Sequence, residues 1–391
     1  LYDGVPMDEV YKAAILATRT LIEKDPDYTY ATARLLMHTI AKEVLGKEVL
    51  HADMGQHYAQ YFPQFIKKGV DNELLDPQML QFDLQRLGSA LKAGRDLKFD
   101  YLGLQTLYDR YFLHVRKQRI ELPQAFFMRV AMGLALNEID REARAIEFYE
   151  VLSSFDFMSS TPTLFNSGTL RSQLSSCYLS TVPDDLDGIY ELIKENALLS
   201  KFAGGLGNDW TRVRALGSHI KGTNGESQGV MEKGEWTLFS PSDVPDLHDL
   251  YGADFEKAYV AYEAKAKSGE IKPSKTVQAT DMWRKMLTML FETGHPWITF
   301  KDPCNVRSPQ QHIGVVHSSN LCTEITLNTS DTETAVCNLG SVNLSQHLTE
   351  GANGKELDHD KLKRTISTAM RMLDNVIDIN YYAVKKARDS N

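Results

Sequence analysis

The sequence predicts a helical region followed by an α/β region, and three observations lead there. From residue 8 to about 150, apolar side chains recur at helical spacing behind acidic or proline starts. From Phe155 onward the pattern changes to strand, helix, glycine loop and strand, the grammar of an α/β fold. The chain has 391 residues, more than one average domain, so two domains are expected, 1–157 and 158–391.

In the first region, Asp8–Arg19 opens with acidic residues and continues with helical periodicity. Tyr28–Val44 and Asn72–Ala93 follow the same pattern. Pro123–Ala135 starts with proline at a favourable first-turn position, and Glu142–Leu152 completes the set. Nothing there points to chemistry. Met158–Gly168 is a polar stretch punctuated by proline and glycine, expected as a loop. Ser176–Val182 follows as a strand closed by Pro183-Asp184-Asp185, then a helix from Leu186 to Phe202 and a glycine loop, Ala203–Asn208. Thr211–Leu216, Trp236–Phe239, Pro296–Phe300 and Ala335–Leu339 are further strand candidates. Helices are expected at Asp254–Lys267, Ala279–Glu292 and Asp360–Ile379. There is no internal repeat.

Composition narrows the function classes. The chain is 42% hydrophobic and 24% charged, ordinary globular material able to bury a core. A formal charge of −9 argues against general nucleic-acid or anionic-membrane binding. No apolar run is long enough for a membrane span, and Leu1-Tyr2-Asp3-Gly4 has no basic-then-apolar leader pattern, so a cytoplasmic protein is expected. The four cysteines, Cys177, Cys304, Cys322 and Cys337, include no CxxC pair and no zinc-type spacing, so no metal is expected.

Cys322 carries the most chemistry. It sits in Ser318-Ser319-Asn320-Leu321-Cys322-Thr323-Glu324, with a carboxamide two residues before it and a carboxylate two residues after. On an extended stretch these three side chains project the same way, joining a sulfur, an amide and a potential base. Cys177 and Cys337 each lie on a candidate strand; in one sheet they would be neighbours able to supply two electrons and two protons as they close to a disulfide. Two buried strand cysteines are the alternative, and spacing does not separate the two. The loop Ala203-Gly204-Gly205-Leu206-Gly207 has the reverse of the dinucleotide-fingerprint order and is expected as a turn. Arg212, Arg214 and Lys221 could bind an anion or decorate a surface, and His312 and His317 are expected as surface groups.

Three cysteine motifs in order, Gln173-Leu174-Ser175-Ser176-Cys177, Ser319–Ile325 and Ala335–Leu344, resemble the large catalytic subunit of class I ribonucleotide reductase. Thr161-Pro162-Thr163, Arg214–Ser218 and Leu238-Phe239-Ser240-Pro241 add to the likeness, which covers nearly the whole chain. The resemblance implies a helical domain followed by about the first half of a ten-stranded α/β barrel with a cysteine on a finger loop. It implies reduction of ribonucleoside diphosphates for DNA precursor synthesis. By position, Cys322 would become a transient thiyl radical taking the ribose 3′-hydrogen. Glu324 would act as general base on the 3′-hydroxyl and Asn320 would hydrogen-bond the same end of the substrate. Cys177 and Cys337 would reduce the 2′ position. Thr161, Ser176, Gly205, Leu321 and Thr323 match substrate-contacting positions, and Asp184, Asp185, Leu186, Arg214 and Lys221 match the dNTP specificity site. Cys304 has no role in this pattern. The partners implied are a metal-containing small subunit that supplies the radical, thioredoxin or glutaredoxin as reductant, dNTP or ATP effectors and a second copy of the chain, with no covalently bound cofactor.

The chain departs from that family in three places. Its start resembles the tail of an ATP-cone region, implying an absent or incomplete overall activity site. Near Gly229-Val230-Met231-Glu232 a block is missing, including the glycine-rich loop that relays effector identity. At Asn391 the sequence stops before the phosphate loop, the radical-relaying tyrosine pair and the CxxC arm of the second half; Tyr381-Tyr382 lies in the wrong context for that pair. The isolated chain is therefore expected not to turn over alone. The alternative function is a catalytically inactive fragment that keeps effector-binding or subunit-interaction roles.

Overall fold

Proline, glycine and aspartate positions decide where the helices start and stop. The computed structural model describes residues 2–214, 236–351 and 354–391. Lys221, Ala215–Ser218 and the expected break at Gly229–Glu232 lie outside the described residues. Two units are distinguished: Leu1–Ser175 with Asn338–Tyr381, and Ser176–Cys337 with Tyr382–Asn391.

The first unit is mainly helical. Its main helices are Met7–Arg19, Tyr28–Leu45, Met54–Asp71, Pro123–Leu134, Arg141–Ser153 and His359–Ile379. Tyr28–Leu45 stops at Gly46, whose φ of 72° is the left-handed cap that glycine adopts without steric cost. The single helix expected over Asn72–Ala93 is instead broken into a 3₁₀ turn, Pro77–Gln81, and a short helix, Leu84–Ser89. Asp76 accepts from the Gln78 amide at 2.8 Å and Asp83 from the Arg86 amide at 2.9 Å, so two caps start two elements. The loop expected at Met158–Gly168 is a strand, Phe157–Ser159, followed by a helix, Thr161–Asn166, with Pro162 in its first turn. Phe157–Ser159 pairs antiparallel with Gly340–Val342.

All twelve residues of Pro123–Leu134 are buried, so this helix has no solvent face and forms the centre of its unit. Phe126 and Phe127 pack there with Phe62, Phe65, Phe148 and Met372, each contributing about 1.5–3 kcal/mol by leaving water. Arg129 is buried on the same helix. Its guanidinium reaches Glu121 at 2.8 Å and donates to the Ser167 carbonyl at 2.7 Å. Glu121 in turn accepts the Leu113 amide at 2.7 Å, so this buried ion pair ties three segments together.

The second unit is built on a three-stranded mixed sheet with Cys177–Thr181 in the centre. That strand runs parallel to Gly205–Asp209, and the helix Leu186–Ser200 makes the crossover a parallel pair requires. On its other side it pairs antiparallel with Ala335–Cys337. Part of the expected glycine loop is thus a strand, since backbone ladder bonds need no side chain. Thr211–Arg214 is a turn rather than the start of a strand, with the Thr211 amide donating to Asp209 Oδ1 at 3.0 Å. Pro296–Phe300 is irregular rather than a strand. Gly252–Ser268 and Ala279–Thr293 are helices close to the expected bounds. Among the described residues the strands form one three-stranded and four two-stranded sheets, and the element order runs from mainly helical to mixed α/β. No helix among the described residues is long and apolar enough to cross a membrane.

Candidate active site

Register places Cys177 directly opposite Cys337 in the sheet. The Ser176 amide donates to the Cys337 carbonyl at 2.9 Å, and the Gly205 amide donates to the Ser176 carbonyl at 2.7 Å, so three backbones meet at this sheet end. Both thiols are free. The Ser176 hydroxyl beside them is buried without a hydrogen-bond partner, a group that a polar ligand atom would satisfy.

Asn320 connects this pair to the cysteine loop. Its Nδ2 donates to Cys177 Sγ at 3.3 Å and to Glu324 Oε1 at 2.8 Å, which uses both amide protons. Its Oδ1 accepts from the Ile325 amide at 3.3 Å; a backbone N–H can only donate, so the amide's orientation is determined. Gly207 admits the loop, because a Cβ there would lie 2.4 Å from the Ser319 carbonyl oxygen.

The loop is a turn rather than an extended stretch. The Thr323 amide donates to the Asn320 carbonyl at 3.1 Å, and Thr323 sits at φ 62°, in the left-handed region. Alternation therefore does not bring Asn320, Cys322 and Glu324 together. The turn joins Asn320 to Glu324, while Leu321 and Cys322 stand exposed at its tip. A tip thiol is open to a partner or substrate, whereas Cys177 is buried and Cys337 half-buried.

Sharing a proton splits the two sheet thiols. The Cys337 thiol's hydrogen bond holds Cys177 below the ordinary thiol range, helped by Asn320 and opposed by burial and the Glu324 charge. Cys337 is pushed far up by that same hydrogen bond, by burial and by the charge on Cys177. Cys177 is thus the first of the two to become a thiolate. Cys337→Ala removes the largest of the favourable contacts, so the midpoint for Cys177 modification by a small thiol reagent should move to higher pH. Mass spectrometry of the Cys177 peptide across a pH series measures this, and an unchanged midpoint would contradict the shared proton.

Other expected residues are dispersed. Arg214 forms an ion pair with Asp184 at 2.8 Å, and its amide donates to Asp184 Oδ1 at 3.0 Å. Asp185 caps the helix Leu186–Ser200 by accepting the Gly188 amide at 2.8 Å, and Leu186 is exposed beside it. Thr161 is exposed in the other unit, 3.0 Å from the Tyr111 hydroxyl. Cys304 is half-buried on the helix Lys301–Val306. His312 is exposed, but His317 is not a surface group: 4% of its side chain is exposed, and its Nε2 lies 2.8 Å from Asp249 Oδ1. Asp209 and His248, 2.7 Å apart, were unmarked in the sequence because they lie 39 positions from each other.

Comparison with known proteins supplies the context. The family model for the ribonucleotide reductase barrel domain matches residues 175–234 and 230–391, and that for the ribonucleotide reductase all-alpha domain matches 97–172. The chain is 49% identical to the ribonucleoside-diphosphate reductase subunit alpha of Chlamydia muridarum, across all of this chain and 44% of that protein. It is 32% identical to the subunit alpha of Helicobacter pylori, across all of this chain and 63% of that protein. The large subunit of Danio rerio is also 32% identical, with 56% of its length covered. The chain therefore spans about half the length of these relatives. The Chlamydia muridarum alignment runs over 460 positions for 391 residues, and the two barrel matches meet at 230–234. With the barrel-domain match alone extending over more than half of its residues, the chain belongs to the ribonucleotide reductase large-subunit family.

Proposed function

We propose that the full-length protein containing this chain reduces ribonucleoside diphosphates to deoxyribonucleoside diphosphates. The observation that carries the proposal is the in-register Cys177–Cys337 pair, joined through Asn320 to Glu324. Two thiols give up two electrons and two protons as they become a disulfide, while the 2′-hydroxyl leaves as water; these quantities balance one reduction. Cys322, exposed at the turn tip, is assigned the 3′-hydrogen abstraction and would regain that hydrogen at the end of the cycle. Glu324 is assigned the 3′-hydroxyl proton, which a positioned carboxylate can accept. The unsatisfied Ser176 hydroxyl supports a substrate contact beside the pair, and Gly205 is assigned to the same contact. Thr161, Leu321 and Thr323 complete the proposed substrate set.

The specificity effector is assigned to Asp184, Asp185, Leu186, Arg214 and Lys221. The Asp184–Arg214 ion pair supports an arginine held ready for phosphate, although Asp185 is already occupied as a helix cap. A metal-containing small subunit would supply the radical, and thioredoxin or glutaredoxin would reset the disulfide. A second copy of the chain, and a cytoplasmic setting, are part of the same proposal.

The deciding experiment assays CDP reduction by the full-length protein with its small subunit and a dithiol reductant. Cys322→Ala should reduce turnover to background while leaving the Cys177–Cys337 pair titratable. Full activity in that variant would refute the radical assignment.

A further inference from the structure

Away from the thiols, a second group of side chains converges from three distant stretches. Asp209 ends a sheet strand, His248 follows a 3₁₀ turn, and His317 leads into the cysteine loop. One ligand-type atom from each lies within 4.8 Å of the others. Asp209 and His248 are buried, and the His317 side chain is as enclosed as theirs. The two imidazoles stack with centroids 3.8 Å apart and 15° between planes.

The hydrogen bonds around these rings leave one set of atoms over. Asp209 Oδ1 accepts the Thr211 amide at 3.0 Å, leaving Oδ2, which lies 2.7 Å from His248 Nε2. Asp249 Oδ1 faces the other side of both rings, 2.8 Å from His317 Nε2 and 3.3 Å from His248 Nδ1. His317 Nδ1 is buried and has no hydrogen-bond partner. A neutral imidazole has one N–H to donate. His317 Nε2 faces Asp249 Oδ1 at 2.8 Å, so its buried Nδ1 is left over, and the 2.7 Å hydrogen bond between His248 Nε2 and Asp209 Oδ2 is the contact a cation would replace.

We propose that Asp209, His248 and His317 bind a divalent transition-metal ion of the zinc type, with Asp249 orienting both imidazoles from behind. Two histidines and a carboxylate are a common donor set for such ions, and a carboxylate on the far ring nitrogen is their usual support. Tetrahedral bonds of about 2.0–2.2 Å put neighbouring ligand atoms about 3.4 Å apart, so the 2.7 Å Asp209–His248 contact opens by about 0.7 Å on binding. Lys301 donates to the Leu250 carbonyl at 3.1 Å and brings one positive charge near, but two carboxylates outweigh it. Asn320 lies three positions beyond His317, so the ion ties the strand Gly205–Asp209 to the stretch that presents the cysteine loop. Its role is to hold that loop in place.

The test uses the untagged full-length protein that contains this chain, with its thiols blocked by N-ethylmaleimide. Calorimetric titration with Zn²⁺ should show one saturable equivalent per chain and a raised melting temperature. Co²⁺ should give visible ligand-field bands. His317→Gln or Asp209→Asn should weaken binding at least about 100-fold, and Asp249→Asn about 10–100-fold. His312→Gln, at an exposed neighbour, should bind like the wild type. Should the site variants not fold, X-ray absorption on unblocked zinc-loaded wild type decides, with an all nitrogen and oxygen shell and imidazole scattering expected. No saturable binding, sulfur in that shell, or wild-type affinity in His317→Gln would overturn the proposal. None of these readouts depends on nucleotide reduction, so the site and the proposed activity stand or fall separately.

Discussion

Arg129→Met is expected to destabilise the helical unit by about 3–5 kcal/mol, because it leaves Glu121 charged and buried without its partner. Both side chains are fully buried, so solvent cannot take over the lost contact. Arg129 also donates to the carbonyls of Leu164 and Ser167, so its removal leaves those acceptors short as well. A loss of this size is a large fraction of the 5–15 kcal/mol typical of a whole domain. Urea denaturation followed by helical circular dichroism measures it. The double variant Glu121→Leu with Arg129→Met should recover much of the loss, since no isolated charge remains. A single-variant cost below about 1 kcal/mol would show that the pair does not hold these segments.

Glu324→Gln in the full-length protein should lower kcat by about 10²–10⁴-fold with little change in KM. Glutamine keeps the size of the side chain and an oxygen that can accept from Asn320 Nδ2, so the 2.8 Å contact can survive. It cannot take a proton at neutral pH. The substitution therefore separates the base from the scaffold. The Cys177–Cys337 pair should still form its disulfide in a single turnover with oxidant. Less than a tenfold loss of kcat would remove Glu324 from the role of base.

Much of the fold was legible because its signals are local. Proline at position 123, apolar repeats and the acidic residues before Leu186 give helices where they were expected. Two errors came from stretches with competing local signals. Between Asn72 and Ala93, helical periodicity hid two aspartate caps around Pro77. At Gly205–Asp209, the turn expected from the glycines was outvoted by pairing with a neighbouring strand. Likewise, the alternation argument for Cys322 assumed extended backbone, whereas Thr323 at φ 62° turns the chain and leaves the thiol at the tip.

By itself, the sequence determined the family motifs, the order of the helical and α/β regions and the identity of the three chemically marked cysteines. Those are properties of residue type and short spacing. Only the tertiary structure decided that Cys177 faces Cys337 in register, that Asn320 spans from thiol to carboxylate, and that His317 is buried against Asp249. The Cys177–Cys337, Asn320–Cys177 and Asp249–His317 contacts join positions far apart in the chain, while Asn320–Glu324 closes a local turn. Sheet pairing and loop closure create them, and no local pattern encodes which distant partner will be met.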